Sequence, residues 1–234
     1  MKAIITGCLL LLSFIPVKAQ TNFYKISAGG GFGVTQSFTD LKKHDFGLAG
    51  YGVIDYYFSP FISAGLEGQM GEINSGDVET DADGRQSINT YKAINFNTKF
   101  GLGTLIDYRR GGFANTIKGL YLGTGLGMVM NSVNNVRKVS YEQEIPYPGK
   151  SKSTDLLVPI NLGINFYFPD RSGYCRYILN FNYQGTFTLG EGLDGYDNSS
   201  VNFKAGRSDI YTYFSVGMRY QFGSIGLADK TLFY

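Results

Sequence analysis

The stretch Ala93–Ile106 constrains the fold more than any other part of the chain, because apolar and polar residues alternate along all of it. One row holds Ile94, Phe96, Thr98, Phe100, Leu102, Thr104 and Ile106, and the other holds Asn95, Asn97, Lys99, Gly101 and Gly103. Strand side chains point to opposite faces with period two, so this pattern predicts a strand with one apolar face and one polar face. Strands of soluble proteins usually span about five or six residues. A strand that crosses a bilayer at a tilt needs about ten.

The same alternation recurs and predicts eight strands. They are Tyr24–Thr35, Leu48–Phe58, Phe61–Gly71, Ala93–Ile106, Gly119–Asn131, Asp155–Phe168, Arg176–Leu189 and Asp209–Phe222. Long polar connections alternate with short turns, apart from the connection Asp107–Lys118, which has an intermediate length. Outer-membrane barrels have short periplasmic turns and longer extracellular loops. The chain is therefore predicted to be all-β, an eight-stranded antiparallel up-and-down transmembrane β-barrel with both ends of the barrel domain in the periplasm.

Three local features refine this prediction. Asp55 is placed on the inner face of the second strand, because a carboxylate facing lipid is costly. Pro159 lacks an amide hydrogen and predicts a bulge or local break in the sixth strand. Aromatic residues at the short-turn end predict one interfacial girdle, made of Tyr24, Tyr56, Phe58, Phe61, Phe166, Phe168, Tyr177, Tyr220 and Phe222.

The predicted organisation is a signal peptide at residues 1–19, an outer-membrane barrel at 20–223 and a periplasmic C-terminal tail at 224–234. Lys2 is followed by an apolar run, and Val17-Lys18-Ala19 fits a small-residue cleavage site. Cys8 lies in a sequence similar to a lipoprotein box, but the apolar run follows this cysteine, which argues against lipidation. After cleavage Cys175 would be the single cysteine, and no internal disulfide could form.

Composition excludes one class of partner. Removing Lys2 and Lys18 from 21 basic and 19 acidic residues leaves a mature chain that is formally neutral. A nucleic-acid-binding surface should be strongly basic, so no nucleic-acid partner is expected. With 32 Gly, 18 Tyr, 18 Phe and 17% charged residues, the composition suits a barrel that is half lipid-facing and half polar.

Two blocks carry a family resemblance: K-I-S-A-G-G-G-F-G-V in the first strand, and F-G-L-A-G-Y-G-V-I-D-Y-Y-F-S-P-F-I-S-A-G-L-E across the next two. With them the chain resembles the small PorT-like outer-membrane barrels of Bacteroidota and, more distantly, the OmpA-type transmembrane barrel. The resemblance implies an outer-membrane location in a Gram-negative cell. It implies little about activity, since such families include secretion accessories and structural barrels.

Charged residues on inward positions are the candidate site. They are Lys25, Asp55, Glu67, Lys99, Asp209 and Arg219. Glu67 is expected near Lys99, and Lys25 near both Asp55 and Arg219. The interior of an eight-stranded barrel is only wide enough for side chains to fill it. The set therefore predicts an interior polar plug of paired charges, with an ion or proton path, and so a narrow pore, as the alternative.

Other chemistry has weaker support in the sequence. The sole histidine, His44, lies beside Asp45 with Ser37 nearby, which is the only basis for a lipid-A-modifying acyltransferase or deacylase. Glu79, Asp81 and Asp83 resemble the start of a calcium loop, yet Thr90 stands at the twelfth position where a bidentate acid is needed. These three residues therefore predict at most a weak divalent-cation loop. No metal centre, catalytic residue or cofactor is expected.

The expected function is non-enzymatic. The chain is expected to be a monomer with a structural, interaction or secretion-assembly accessory role, acting through its loops or its periplasmic face. Its expected partners are outer-membrane lipid and lipopolysaccharide, which the basic loop Arg137, Lys138, Lys150 and Lys152 would contact, and a protein bound at the extracellular loops or periplasmic turns.

Overall fold

The computed structural model describes residues 21–38, 45–77, 79, 86–135, 151–190, 193 and 209–233. Its architecture is a closed barrel in which each strand pairs antiparallel with the next, and the last strand pairs with the first. The predicted eight-stranded antiparallel up-and-down barrel is confirmed. The predicted signal peptide, Cys8, His44, Asp81, Asp83 and most of the predicted basic loop lie outside the described residues.

Seven of the eight strands are longer than predicted, and the seventh has the predicted length with a shift of one residue. They are β1 Thr21–Phe38, β2 Phe46–Ser59, β3 Ile62–Gly76, β4 Gln86–Gly101, β5 Leu120–Asn135, β6 Lys152–Pro169, β7 Cys175–Thr188 and β8 Ile210–Ala228. A 3₁₀ turn, Leu102–Thr104, and a short helix α1, Phe113–Ile117, lie between β4 and β5. Across the described residues, no helix has the length and apolar character needed to span a membrane.

An apolar belt surrounds the outside of the barrel. Each strand has a stretch in which no outward position is Asp, Glu, Lys or Arg. These stretches are Ile26–Phe38, Phe46–Phe58, Ile62–Met70, Ile94–Phe100, Leu120–Met130, Leu156–Phe168, Tyr177–Phe187 and Ile210–Phe222. Large apolar side chains here are widely exposed; Phe32 is 75% and Leu48 is 74% accessible. We define these outward positions as the belt.

The β3–β4 and β5–β6 hairpins continue beyond the belt, so the predicted loops Glu72–Lys92 and Ser132–Thr154 are shorter than expected. Outward positions there are polar, for example Glu72 and Lys92, whereas Tyr91 remains fully buried on the inward face. In this barrel, an apolar outer row that alternates with a polar inner row marks a strand only within the belt. Beyond the belt this signal disappears, and the strand was therefore predicted as loop.

The short-turn end also differs from the prediction. β4 stops at Gly101 instead of Ile106, because the chain turns away from the wall into the 3₁₀ turn. Phe61 is 5% accessible and packs inside the barrel end, so it is not part of the aromatic girdle. β8 continues to Ala228, which moves the predicted barrel limit beyond residue 223.

Two irregularities have clear causes. Pairing between β5 and β6 is interrupted opposite Val158 and Pro159 with no change of register, which confirms the predicted local break at the proline. The register between β1 and β8 shifts between Tyr24 and Ile26, opposite Gly223, whose φ is +87°. Glycine adopts this left-handed conformation without steric cost, and one such residue is enough to form a bulge.

Candidate functional site

The centre of the barrel holds an ion-pair cluster formed by Asp55, Lys99 and Arg219. Lys99 Nζ lies 3.1 Å from Asp55 Oδ1, and Arg219 Nε lies 3.2 Å from Asp55 Oδ2. All three residues are at most 5% accessible. Their strands β2, β4 and β8 are not neighbours, so each cation reaches the carboxylate over an intervening strand.

Glycines on the intervening strands make this contact sterically feasible. Gly65 on β3 pairs with Asp55, and a Cβ at Gly65 would lie 2.3 Å from Asp55 Oδ1. Gly29 on β1 pairs with Arg219, and a Cβ there would lie 2.9 Å from Arg219 Cγ. The cluster therefore depends on inward positions that have no side chain.

A hydrogen-bonded network extends from Arg219 across the other half of the barrel. The guanidinium donates to Asn165 Oδ1 at 3.3 Å and to Asn180 Oδ1 at 3.2 Å. Asn180 Nδ2 donates to the Tyr121 hydroxyl at 2.9 Å, and that hydroxyl donates to Asn182 Oδ1 at 2.9 Å. The two asparagine oxygens accept from two of the five N–H groups of the guanidinium, and Asp55 lies against its Nε.

Glu67 is buried but does not pair with Lys99 as expected. Its carboxylate accepts a hydrogen bond from Gln69 Nε2 at 2.7 Å, and the same nitrogen donates to Gln184 Oε1 at 3.0 Å. Glu67 pairs in register with Asn95, four residues along β4 from Lys99, a separation of about 13 Å at strand rise. Asp55 is nearer in the ladder and takes the lysine instead.

The other predicted positions lie apart from the cluster. Lys25 is half-buried at the β1–β8 bulge, four residues from Gly29, which is the partner of Arg219. Asp209 directly precedes β8 at the long-loop end, where its carboxylate accepts a hydrogen bond from the Leu193 N–H at 3.2 Å. Glu79 is exposed. Among the described residues, no group of three His, Cys, Asp or Glu side chains could hold a metal ion.

A tyrosine layer lies above the central cluster, towards the long-loop end. It contains Tyr51, Tyr91, Tyr211 and Tyr213 within a buried cluster; the Tyr91 and Tyr211 ring centroids are 5.6 Å apart. Glycines again provide the space, because a Cβ at Gly217 would lie 2.1 Å from the Tyr51 hydroxyl. The four side chains are buried inside the barrel at this level.

The short-turn end is closed by an apolar cluster that the sequence analysis did not predict. We define it as the end cluster, which contains Phe23, Tyr57, Phe61, Tyr108, Cys175, Ile178 and Leu232. The residues after β8, predicted to be a tail, fold back to join it. Their signal in the sequence is the apolar pair Leu232-Phe233 after a charged segment.

Hydrogen bonds hold this returning segment to the β4–β5 connection. Lys230 Nζ donates to the carbonyl oxygens of Gly103, Thr104 and Ile106 at 3.0, 2.7 and 3.0 Å. The Tyr108 hydroxyl donates to the Thr231 carbonyl at 2.7 Å. The three carbonyls follow the end of β4, where no ladder partner is available, so the lysine satisfies them.

Lys118 is the second basic residue of this closure. Its Nζ donates to the Leu232 carbonyl and, at 2.8 Å, to Asn115 Oδ1. It also lies 5.1 Å from the centroid of the Tyr108 ring. Burial lowers the pKa of the Lys118 ammonium below its ordinary value.

An arginine stacks on aromatic residues at the same end of the barrel. The Arg176 guanidinium lies 4.0 Å from the centroid of the Tyr24 ring and 2.9 Å from Asp170 Oδ2. Burial alone would raise the pKa of Asp170, but hydrogen bonds from Arg176 and from the N–H groups of Tyr174 and Ser172 outweigh it and hold that pKa below its ordinary value. The arrangement is typical of an interfacial anchor.

No protein-family model and no curated protein sequence matches the chain. Solved structures with a similar arrangement include Neisserial surface protein A, with 8% identity, a TM-score of 0.49, and coverage of 84% of this chain and 97% of that one. The attachment invasion locus protein Ail of Yersinia pestis has 12% identity, a TM-score of 0.45, and coverage of 86% and 99%.

The N-terminal β-barrel domain of Pseudomonas aeruginosa OprF has 11% identity, a TM-score of 0.42, and coverage of 86% and 100%. None of these three is a PorT-like protein of Bacteroidota, so that finer resemblance stays a prediction. Identities this low transfer no activity from these proteins to the present chain.

Proposed function

We propose that this chain spans the outer membrane of a Gram-negative cell as a monomeric barrel with a filled interior, and that it serves as a non-enzymatic scaffold for interaction or assembly. The belt carries this proposal. It surrounds the whole circumference, has no charged residue, and exposes apolar side chains that a water-soluble barrel would have to cover. Lipid is the environment in which such a surface is stable.

The filled interior favours a scaffold function rather than a pore function. From one end to the other, the bore contains the tyrosine layer, the ion-pair cluster and the end cluster. Within the centre, the buried acids Asp55 and Glu67 balance the buried bases Lys99 and Arg219. An ion crossing the end cluster would lose its hydration without gaining polar partners, which is costly.

The surfaces left for partners are the two ends. The hairpins that continue beyond the belt present polar outward positions such as Glu72 and Lys92, which suit contact with a protein or with lipopolysaccharide. The opposite end presents the β4–β5 connection, held in place by the returning C-terminal residues. A secretion-assembly role would use this second surface.

The decisive experiment places one charge at two depths on the same strand. Leu126 is an outward residue in the middle of the belt, and Asn134 is an outward residue beyond it. In lipid vesicles, Leu126→Arg should cost about 2–4 kcal/mol of folding free energy and Asn134→Arg only about 0–1. Equal effects of the two substitutions, or a wild-type protein that stays dissolved without detergent, would refute the membrane location.

The role itself needs separate tests. Crosslinking in intact cells followed by mass spectrometry should return one specific protein complex through either barrel end, and its absence would count against the interaction role.

Unaltered lipid A in a deletion strain is expected for a non-enzymatic protein; an altered acylation pattern that His44→Ala reproduces would contradict it. Planar bilayers should give flat conductance traces, and discrete channels would contradict the filled bore.

A further inference from the structure

A groove of about 370 Å³ lies on the outer wall of the barrel near the short-turn end. Its volume falls within the range of about 300–1,000 Å³ typical of small-molecule sites, and its surface is almost entirely apolar. Most of its lining comes from outward residues of three adjacent strands and from the turn after β4. The lining side chains are Phe100, Leu102, Leu105, Leu120, Leu122 and Leu162.

The groove exists because β4 ends before its neighbour does. Phe100, Leu122 and Leu162 stand side by side in one row across β4, β5 and β6. Below this row β4 leaves the wall at Gly101 and enters the 3₁₀ turn. The Gly103 N–H of this turn donates to the Lys118 carbonyl at 2.9 Å, just before β5, and Leu105 after the turn lines the groove and is 82% accessible.

We propose that this groove is a binding site for one acyl chain of a phospholipid in the leaflet at the short-turn end. The inference rests on the proposed membrane location. The groove is continuous with the belt through Phe100, Leu122 and Leu162, so the molecule that covers the belt also has direct access to it. A flexible hydrocarbon chain fits an apolar groove of this volume better than the flat surface of another protein does.

Charge on the adjoining segment supports a lipid with an anionic phosphate. The β4–β5 connection continues from Leu105 to the exposed pair Arg109 and Arg110, four and five residues further on. Two arginines on the segment that continues from an apolar groove suit a molecule with a hydrocarbon tail and a phosphate. The contacts of Lys230 with the carbonyls of this connection hold the wall of the groove in place.

The test uses the absence of tryptophan from the chain, so that one introduced tryptophan reports one location. Leu105→Trp reports on the rim of the groove, and Phe58→Trp is the matched control, an exposed belt residue at the same barrel end. Each variant is reconstituted in nanodiscs of unlabelled phosphatidylcholine, which has no net charge. A small fraction of phosphatidylglycerol with brominated acyl chains, which quench tryptophan, is then added.

With a small fraction of brominated lipid, quenching at Leu105→Trp should exceed quenching at Phe58→Trp by about threefold or more, because a site that prefers the anionic lipid holds it more often than its bulk fraction predicts. Adding Leu162→Phe, which narrows the groove from the third strand, should remove this excess and leave the control unchanged. Parallel quenching curves for the two reporters would overturn the lipid site.

The outcomes separate this inference from the membrane location. If neither reporter is quenched in discs made entirely of brominated lipid, the protein is not inserted, and both proposals fail. If both are quenched there and no excess appears at low fraction, only the acyl-chain site fails. A change from dimer to monomer on adding Leu162→Phe would indicate that a second copy occupies the groove, and it would also overturn the lipid assignment.

Discussion

Replacing Asp55 by Asn should be the most destabilising single change in the polar interior. Asp55 is the acceptor for both buried cations, with contacts of 3.1 Å to Lys99 and 3.2 Å to Arg219. The substitution removes both ion pairs and leaves two positive charges facing each other in a site that water does not reach. Removing one partner of a buried pair costs about 3–5 kcal/mol, and Asp55→Asn should fall in the upper part of that range.

Lys99→Met tests the same reasoning from the other side. It removes one ion pair but leaves Asp55 paired with Arg219, so the cost should be smaller, about 1–3 kcal/mol. The double variant Asp55→Asn/Lys99→Met no longer contains the lysine that Asp55→Asn alone leaves unpaired. The double variant should therefore be more stable than the sum of the single effects predicts, with a coupling of about 0.5–3 kcal/mol.

The assay is reversible urea unfolding in lipid vesicles, followed by circular dichroism and by the mobility shift of folded barrel on unheated gels. Glu67→Gln serves as the control. It also removes a buried interior carboxylate, but Glu67 accepts a hydrogen bond from Gln69 and forms no ion pair among those found in the described part of the barrel. Its cost should stay near 1 kcal/mol. The reasoning is refuted if Asp55→Asn costs no more than Glu67→Gln, or if Lys99→Met proves the more damaging change.

Three further predictions concern the interior glycines, the end cluster and the loss of stability at low pH. Gly217→Ala should cost about 1–3 kcal/mol, because its Cβ would lie 2.1 Å from the Tyr51 hydroxyl; Gly68→Ala, with no atom within 4 Å, should be close to neutral in the same unfolding assay. Leu232→Ala should increase hydrogen exchange of the residues after β8 while strand amides stay protected, and unchanged exchange would show that the end cluster does not hold them. The lowered pKa of Asp170 means that its stabilising contribution is complete above the ordinary aspartate value and is lost as pH falls through the lowered one. The stability advantage of wild type over Asp170→Asn at neutral pH should therefore disappear in acid, and a difference that persists there would contradict this assignment.

The parts of the strands that lie within the belt could be predicted from the sequence, and the parts that extend beyond the belt could not. Around Ile94 and Phe96 the outer row is apolar and the inner row polar, so alternation identified the strand and which of its residues face outward. At Tyr91 the apolar side chain faces inward and Lys92 faces outward, which inverts the pattern that marks a lipid-facing strand. The continuation of β4 to Gln86 therefore had no signal in that pattern.

The central cluster shows why inward positions are easier to predict than partners. The placement of Asp55 on the inner face followed from the cost of a carboxylate in lipid, but its partners were expected on the neighbouring strand. The actual partners lie two strands away, on β4 and β8. The signal that would have found them is a glycine at the paired position of each intervening strand, Gly65 on β3 and Gly29 on β1.

The fit between the Tyr51 ring on β2 and Gly217 on β8, over the intervening strand β1, has a consequence for engineering. The width available inside the barrel is set by which strand supplies a ring and which supplies only a hydrogen atom. Two simultaneous substitutions, Tyr51→Gly and Gly217→Tyr, would move the ring from β2 to β8 at nearly constant volume. Tyr51→Gly alone would instead leave a cavity in the tyrosine layer, a starting point for a designed ligand site.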